Sequence, residues 1–463
     1  MKFHFSGICG AGMGNVASLI KQTGHDVKGS DSAFFPPMSD VLKELNITTF
    51  EGYNESHLQD TFNPDYQIIS NVLSKDHTEV KAGESLQIPR LSFPEALSQF
   101  IIKDRDSIVI AGTHGKSTTT SIVSKLLESI KPGYFIGGAL QDGSPGAVLG
   151  DKKAPFILEG DEYDTAFFDK NSKFLHYKPK YLILTYLEWD HIDIFPKFED
   201  MIKQFKELLA LIPKDGKVFY CGDCEALNTL MESFDGQKIS YGFNKKNDIV
   251  IDLVSKEDDL SMVHCSYLNQ KHSFKTYFKG DIYIQNCTVA WFLAKEFKLS
   301  HDQAQKSLEK FKGVKRRLEK LHDSPLIFSD FAHHPTAIEA TIKILKKEYQ
   351  NKKVWAIFDP RNATSRRSTF EDRIATALNY ADHVTIGPPA EDKRLKDEET
   401  FSSLRVAKAI GCKATGLTQV DDLTQHLLDH LLDDHVILIM SCGAFHGIFT
   451  KIEDFLNKNQ LAK

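Results

Sequence analysis

The segment from Ile108 to Thr120, IVIAGTHGKSTTT, constrains the fold of this chain more than any other. A short apolar run of strand character meets Gly112, and Lys116 and Ser117 then open a stretch that reads as a helix. Strand, glycine turn and Lys-Ser at a helix start is the layout of a phosphate-binding loop. The first N–H groups of the helix lack intrahelical partners, and the helix dipole adds positive charge where they point. Lys116 is thereby placed to reach the β- and γ-phosphates of a nucleotide, and the Ser117 hydroxyl to ligate Mg²⁺. The general pattern is incomplete, because Ile110 stands where its first glycine belongs. The plainer alternative is a glycine-rich turn that holds nothing.

A phosphate loop of this kind sits in a parallel sheet covered by helices, and the rest of the chain reads the same way. Its 463 residues suit two to four domains. Strand-like runs alternate with helical stretches in three blocks. The first has strands at Lys2–Ser6, around Val27–Gly29 and at Tyr66–Ser70. The second has Ser107–Ala111, a helix from about Lys116 to Ile130, then strands at Pro155–Leu158, Tyr181–Thr185 and Lys217–Tyr220. The third offers Leu326–Phe328, Val354–Phe358, His383–Ile386 and Val436–Met440. Boundaries near residues 104 and 315 divide the chain into 1–104, 105–315 and 316–463.

Further candidate groups fall at strand ends, where parallel sheets bind ligands. Glu159 opens the run EGDEYD, with four carboxylates suited to Mg²⁺ beside phosphates or, alternatively, to a solvated turn. His191 lies in EWDH after the strand at 181–185, in the same block as the other two signals. Glycines at 7, 10, 12 and 14 follow the first strand, and Asp31 lies about twenty residues on. That spacing fails the GxGxxG rule, with Cys9 in place of the second glycine, so a nucleotide diphosphate suits the turn better than NAD. Arg316 and Arg317 at the second boundary are placed to meet a transferring phosphoryl group or to serve as solvated linker charge. Asp330, His333 and His334 follow a strand and suggest substrate contacts.

Composition excludes some classes. Against 57 basic side chains stand 63 acidic ones, a net charge of −6 that argues against broad nucleic-acid binding. The opening MKFHFSGICG carries no apolar signal region, and no apolar run reaches membrane-span length, so a cytoplasmic location is expected. Seven scattered cysteines make no disulfide framework, and the Cys221/Cys224 pair reads as surface-turn residues.

Taken together, these motifs resemble the Mur ligase family, the ATP-dependent amide-forming enzymes of peptidoglycan synthesis. The matching stretches are AGTHGKSTTT at 111–120, EGDEYD at 159–164, DH at 190–191, RRLE at 316–319 and DFAHHPT at 330–336. The resemblance implies an α/β fold in three domains: Rossmann-like, central P-loop ATPase-like and carboxy-terminal Rossmann-like. GTHGK and AHHP resemble the branch acting on UDP-N-acetylmuramate, which adds either L-alanine or a recycled tripeptide. The run Asp161 to Phe174, with FPPM at 35–38 and DPR at 359–361, is similar to the tripeptide-adding kind. The implied product is UDP-N-acetylmuramoyl-L-alanyl-γ-D-glutamyl-meso-diaminopimelate. No obligate protein partner, nucleic acid or membrane is implied.

The resemblance also implies roles. Gly7, Gly10, Gly12 and Gly14, with Asp31, Ser70 and His334, would bind UDP-muramate. Ala111, Gly112, Thr113, His114, Gly115, Lys116, Ser117 and Thr118 would bind ATP, joined by Asn286, Arg316, Arg317 and Asp330. Ser117, Glu159 and His191 would hold Mg²⁺. Lys116, Glu159, His191, Arg316 and His333 would be catalytic. Apart from the resemblance, the imidazole pKa range suits His333 to deprotonate the amine, and Arg361, in the loop after the strand at 354–358, is placed either to bind the peptide's distal carboxylates or to serve as solvated charge. Several positions depart from the family pattern: Tyr186, Ile282, Tyr283, Ser329 and Cys442. The changes at 282–283 and 329 touch the expected adenosine pocket. Two other classes remain open: an oxidoreductase first domain, against which the glycine spacing counts, and a nucleotide-binding protein without turnover.

Overall fold

A computed structural model describes residues 1–59, 62–392, 394–431 and 434–460. The chain forms two compact units, Met1–Trp189 with Lys197–Lys312, and Asp190–Pro196 with Gly313–Lys463. The segment 190–196, expected in the central block, thus belongs to the second unit.

Among the described residues, the first unit holds two large sheets and a small two-stranded one. Strands β1 (Lys2–Ser6), β2 (Asp26–Asp31), β3 (Thr48–Glu51), β4 (Tyr66–Ile69) and β5 (Arg90–Leu91) lie in the order β3-β2-β1-β4-β5, all parallel. Central β1 is buried from Phe3 onward, as a strand covered on both faces must be. One polar network lies within this layer. Glu79, on the helix Thr78–Ser85, is fully buried and accepts from the hydroxyls of Ser6 and Ser30, each at 2.6 Å. His4 and His57 approach the same carboxylate at 3.2 and 2.9 Å.

The second sheet contains β6 (Ser107–Ala111), β7 (Gly133–Phe135), β8 (Ala147–Val148), β9 (Phe156–Gly160), β12 (Tyr181–Leu184), β13 (Lys217–Cys221), β14 (Gln237–Gly242), β15 (Ile249–Glu257), β16 (Leu260–Tyr267) and β17 (Gln270–Thr276). A small hairpin, β10 (Asp164–Ala166) and β11 (Asp169–Ser172), stands apart from it. The order is β17-β16-β15-β14-β13-β12-β6-β9-β7-β8, parallel through its middle and antiparallel at β16, β17 and β8. Every residue of β6 is buried. Cys221 and Cys224 correct the surface-turn expectation: both are buried, and burial pushes the Cys221 thiol up to about 12.

The second unit is built on β18 (Glu319–Asp323), β19 (Leu326–Asp330), β20 (Lys353–Phe358), β21 (His383–Ile386), β22 (Ala414–Gly416) and β23 (His435–Met440), ordered β18-β19-β23-β20-β21-β22. Only β18 is antiparallel. Ile327, Trp355, Ile357, Ile437 and Ile439 pack beneath two helices, Val420–His430 and Ile448–Gln460. Those helices contribute Leu423 and Leu427, and Ile448, Ile452 and Leu456, at the four-residue spacing that lines one helical face.

Candidate active site

The glycine turn after β6 has the geometry of an anion cradle. Gly112 (φ 131°) leaves no room for a Cβ, which would lie 2.5 Å from the Tyr186 carbonyl, and Gly115 (φ 82°) caps the helix Lys116–Leu126. Both positions therefore demand glycine. Ala111 ends β6 with no exposed surface. Thr113 N–H donates to the Tyr186 carbonyl at 2.9 Å, and His114 contacts the Glu188 carboxylate. Asn286, on the helix Asp281–Glu296, is 3% exposed and faces Gly115, and its Nδ2 has no hydrogen-bond partner among the described residues. An orphaned donor beside a phosphate-type turn is what a bound nucleotide would satisfy.

The acids behind the turn engage its side chains directly. Lys116 Nζ donates to the Gly112 carbonyl at 2.6 Å and to Glu162 at 2.8 Å. Burial alone would lower the Lys116 ammonium, but Glu162, Asp161 and Glu159 outweigh it and hold it above its ordinary value. Asp161, partly exposed and facing Lys173 and Lys116, is held down at about 2 because the two cations outweigh the desolvation that would raise it. Ser117 Oγ donates to Glu159 Oε1 at 2.6 Å, and Gly137 N–H to Oε2 at 2.7 Å. A hydroxyl and a carboxylate in contact form an all-oxygen pair that suits Mg²⁺. Thr118 is buried in the first helical turn. Glu162, the acid on Lys116, was visible in the sequence only as one of four carboxylates in EGDEYD.

The amino-terminal turn is simpler. Gly7 (φ 88°) would push a Cβ to 2.7 Å from Ser70, and the N–H groups of Gly7 and Ile8 donate to the Ser30 carbonyl. Asp31 accepts from Cys9 N–H at 2.8 Å and from the Tyr53 hydroxyl at 3.2 Å. Gly10 caps the helix Ala11–Gln22. Gly12 and Gly14 lie inside that helix: Gly12 faces the Phe93 ring and Gly14 faces Met38 and the Ile8 carbonyl. Their smallness serves packing, so of the four glycines only 7 and 10 lie in the turn itself.

In the second unit, Asp190 is 1% exposed and accepts from Thr364 Oγ1 at 2.6 Å. Burial would raise its carboxyl, but His191, His333 and His334 outweigh that and hold it well below the usual range. His191 has φ 53°, and its N–H meets Thr364 at 3.2 Å. His333 Nδ1 faces the Phe331 carbonyl at 3.0 Å, leaving Nε2 3.7 Å from Asp190. His334 has no exposed surface and packs edge-on to Phe370. Thr364 escaped notice in the sequence because a threonine in a basic loop gives no sign of a buried carboxylate partner.

The basic residues have defined partners. Arg316 donates to the carbonyls of Ser441 and Gly443, and burial lowers its guanidinium from the ordinary value. Arg317 stacks over Phe331 at 4.7 Å. Asp330, a candidate ATP contact, accepts from Leu318 N–H at 2.6 Å and Ala332 N–H at 2.7 Å, one on each oxygen. Burial raises its carboxyl. Arg361 donates from Nε to Asp359 at 2.9 Å. Among the departures, Tyr283 stacks on Phe278 and Ser329 is buried with an unpartnered hydroxyl among the described residues. Burial pushes Tyr186 up to about 12 and raises the Cys442 thiol.

Comparison with known proteins covers the same ground. Residues 2–105 match the model "Mur ligase family, catalytic domain", 110–294 "Mur ligase middle domain", and 316–443 "Mur ligase, glutamate ligase domain". The chain is 34% identical to the UDP-N-acetylmuramate–L-alanyl-γ-D-glutamyl-meso-2,6-diaminoheptandioate ligase of Escherichia coli (strain K12), covering 99% of each protein. A crystal structure of a murein peptide ligase from Psychrobacter arcticus matches with TM-score 0.74 and 31% identity, covering 98% of both chains. A UDP-N-acetylmuramate–alanine ligase from Thermotoga maritima shares the fold at TM-score 0.76 and 22% identity over 100% of both.

Proposed function

The chain belongs to the Mur ligase family, and on that premise we propose that it ligates UDP-N-acetylmuramate to L-alanyl-γ-D-glutamyl-meso-diaminopimelate at the expense of ATP, in peptidoglycan recycling. Likeness over the full length to the Escherichia coli ligase carries the choice of acceptor. The contacts of Lys116 with Glu162 and of Ser117 with Glu159 support the use of ATP. Dependence on ATP also supports a cytoplasmic location.

The chemistry runs in two steps. A carboxylate oxygen of the muramoyl lactyl group attacks the γ-phosphorus, ADP leaves, and an acyl-phosphate forms. The peptide amine, once neutral, adds to the acyl carbon, and phosphate departs from the tetrahedral intermediate. Lys116 leaves Glu162 for the β- and γ-phosphate oxygens and offsets the charge that gathers on them. Ser117 and Glu159 would hold Mg²⁺, which supplies further charge neutralisation when bound. From the family resemblance, His191 would be a further metal ligand and Arg316 would stabilise the transferring phosphoryl group.

The first N–H groups of the helix Ala11–Gln22, which Gly10 caps, suit the UDP diphosphate, with Gly7 shaping the turn before them, and Asp31 suits the uridine. His333 accepts the amine proton at Nε2, and the Asp190 carboxylate stabilises the imidazolium that results. Arg361 receives a carboxylate of the peptide. The test is phosphate release from ATP with UDP-N-acetylmuramate and either tripeptide or L-alanine, with products identified by mass spectrometry. Tripeptide adduct is expected. A product formed only with L-alanine would replace the acceptor, and no phosphate release with either would refute the ligase reading.

A further inference from the structure

Arg361 lies in the loop after β20 and is fixed from two sides. Its Nε donates to Asp359 Oδ2 at 2.9 Å, and its NH2 group to His446 Nε2 at 2.8 Å. A guanidinium has donors only, so His446 offers a lone pair in this contact. The other three N–H groups have no protein acceptor among the described residues. Gly443 lies against the same side chain, and a Cβ there would come within 2.9 Å of Arg361 Nε. Asp359 is 1% exposed and takes a second bond from Ser441 Oγ at 2.6 Å.

The turn that presents His446 is a costly one. Phe445, His446 and Gly447 have φ of 46°, 52° and 74°, three left-handed residues in succession, two of them with side chains. Phe445 is buried and anchors the turn, whereas His446 is exposed. Backbone held in such a region persists where its surroundings over-determine it, and ligand sites are where that occurs most.

We propose that His446 is a positioning residue that determines acceptor specificity: with Asp359 it fixes the Arg361 guanidinium so that the remaining donors receive a carboxylate of the incoming peptide. This rests on the reading of Arg361 as acceptor-binding. The choice of imidazole has a physical reason. Asp359 already balances the Arg361 charge, so a second acid at 446 would leave the group net negative and repel an incoming carboxylate. A histidine that accepts orients the guanidinium without cancelling its charge. The favoured ligand class is a peptide with several free carboxylates.

The test uses the full-length enzyme and steady-state kinetics with tripeptide, ATP and UDP-N-acetylmuramate varied in turn. His446→Gly is the first variant, since a left-handed position accepts glycine without strain. Its tripeptide KM is expected to rise roughly tenfold, the loss of one hydrogen bond to a charged group, with kcat and the other KM values held within about twofold. His446→Gln keeps a neutral acceptor and should restore most of the affinity. His446→Glu keeps an acceptor but adds charge, and should bind tripeptide worse than His446→Gly. An unchanged tripeptide KM in His446→Gly, or a Glu variant as good as the Gln variant, overturns the proposal. If the parent uses L-alanine instead of tripeptide, the acceptor reading falls; the same variants measured with L-alanine then decide the role of His446, an unchanged KM overturning it and a raised one supporting it.

Discussion

Lys116 meets two requirements at once. Its ammonium would ordinarily be costly to bury, and Glu162 at 2.8 Å makes that burial tolerable before any nucleotide arrives. Lys116→Ala should therefore lower kcat at least about 100-fold and also destabilise the first unit, because Glu162 loses its cation. The double variant Lys116→Ala/Glu162→Gln separates the two effects: urea unfolding should recover most of the lost stability, while kcat stays as low as in the single variant. Turnover near the parent's in either variant would remove Lys116 from the chemistry. Arg361 is expected to act on binding alone. Arg361→Ala should raise the tripeptide KM about tenfold or more, with KM for ATP and for UDP-N-acetylmuramate unaltered, because a carboxylate loses its charge-assisted bonds. Steady-state kinetics with each substrate varied would check it.

The helix Thr78–Ser85 is short and polar, and its place in the first sheet depends on the network around Glu79. Burial would raise that carboxyl, but bonds from His4, Ser30 and Ser6 outweigh it and bring it down to about 2. A carboxyl lowered on folding stabilises the fold above its unfolded value of about 4.3 and ceases to as pH falls through the folded value. Acid should thus weaken the first unit progressively between about pH 5 and pH 2. Glu79→Gln should cost about 3 kcal/mol at neutral pH and flatten that acid limb; an acid limb as steep as the parent's in urea titrations at pH 7 and pH 3 would remove Glu79 as its source. The network also marks where sequence reading stops. A glutamate on a polar helix looks solvated until His4, Ser30 and His57, distant in sequence, are brought to it. Strands β6, β20 and β23 were readable because each is a continuous apolar run, the mark of a parallel strand covered on both faces. The antiparallel extension β15–β17 was not, since its exposed face carries Lys, Ser, His and Asp that dilute the apolar alternation. The candidate site divides the same way: the glycine turn with Lys116 and Ser117 is one continuous stretch and Glu159 opens a recognisable acidic run, whereas Thr364 on Asp190 and His446 on Arg361 show only as contacts between segments that carry no such mark.

At the scale of the molecule, the two glycine turns, after β1 and after β6, belong to one compact unit. Their ligands should stabilise a shared unfolding transition in calorimetry. UDP-N-acetylmuramate and Mg²⁺–ATP, each at a hundred times its dissociation constant, should each add about 2.7 kcal/mol. In Lys116→Ala the nucleotide shift should shrink while that of UDP-N-acetylmuramate remains, and equal loss of both would argue against two separate sites. The second unit is assembled differently, because Asp190–Pro196 is a part of it that the chain supplies from within the first. The backbone therefore passes from one unit to the other at 189–190, 196–197 and 312–313. Gene fusion and domain exchange assume a module with a single seam, and this one has three. A graft that transplants 313–463 onto another ligase leaves Thr364 without the carboxylate it holds at 2.6 Å. Recombination between relatives would keep such a chimera working only if the heptapeptide travelled with the carboxy-terminal half, so the two stretches are expected to be inherited as one piece despite the hundred-odd residues between them.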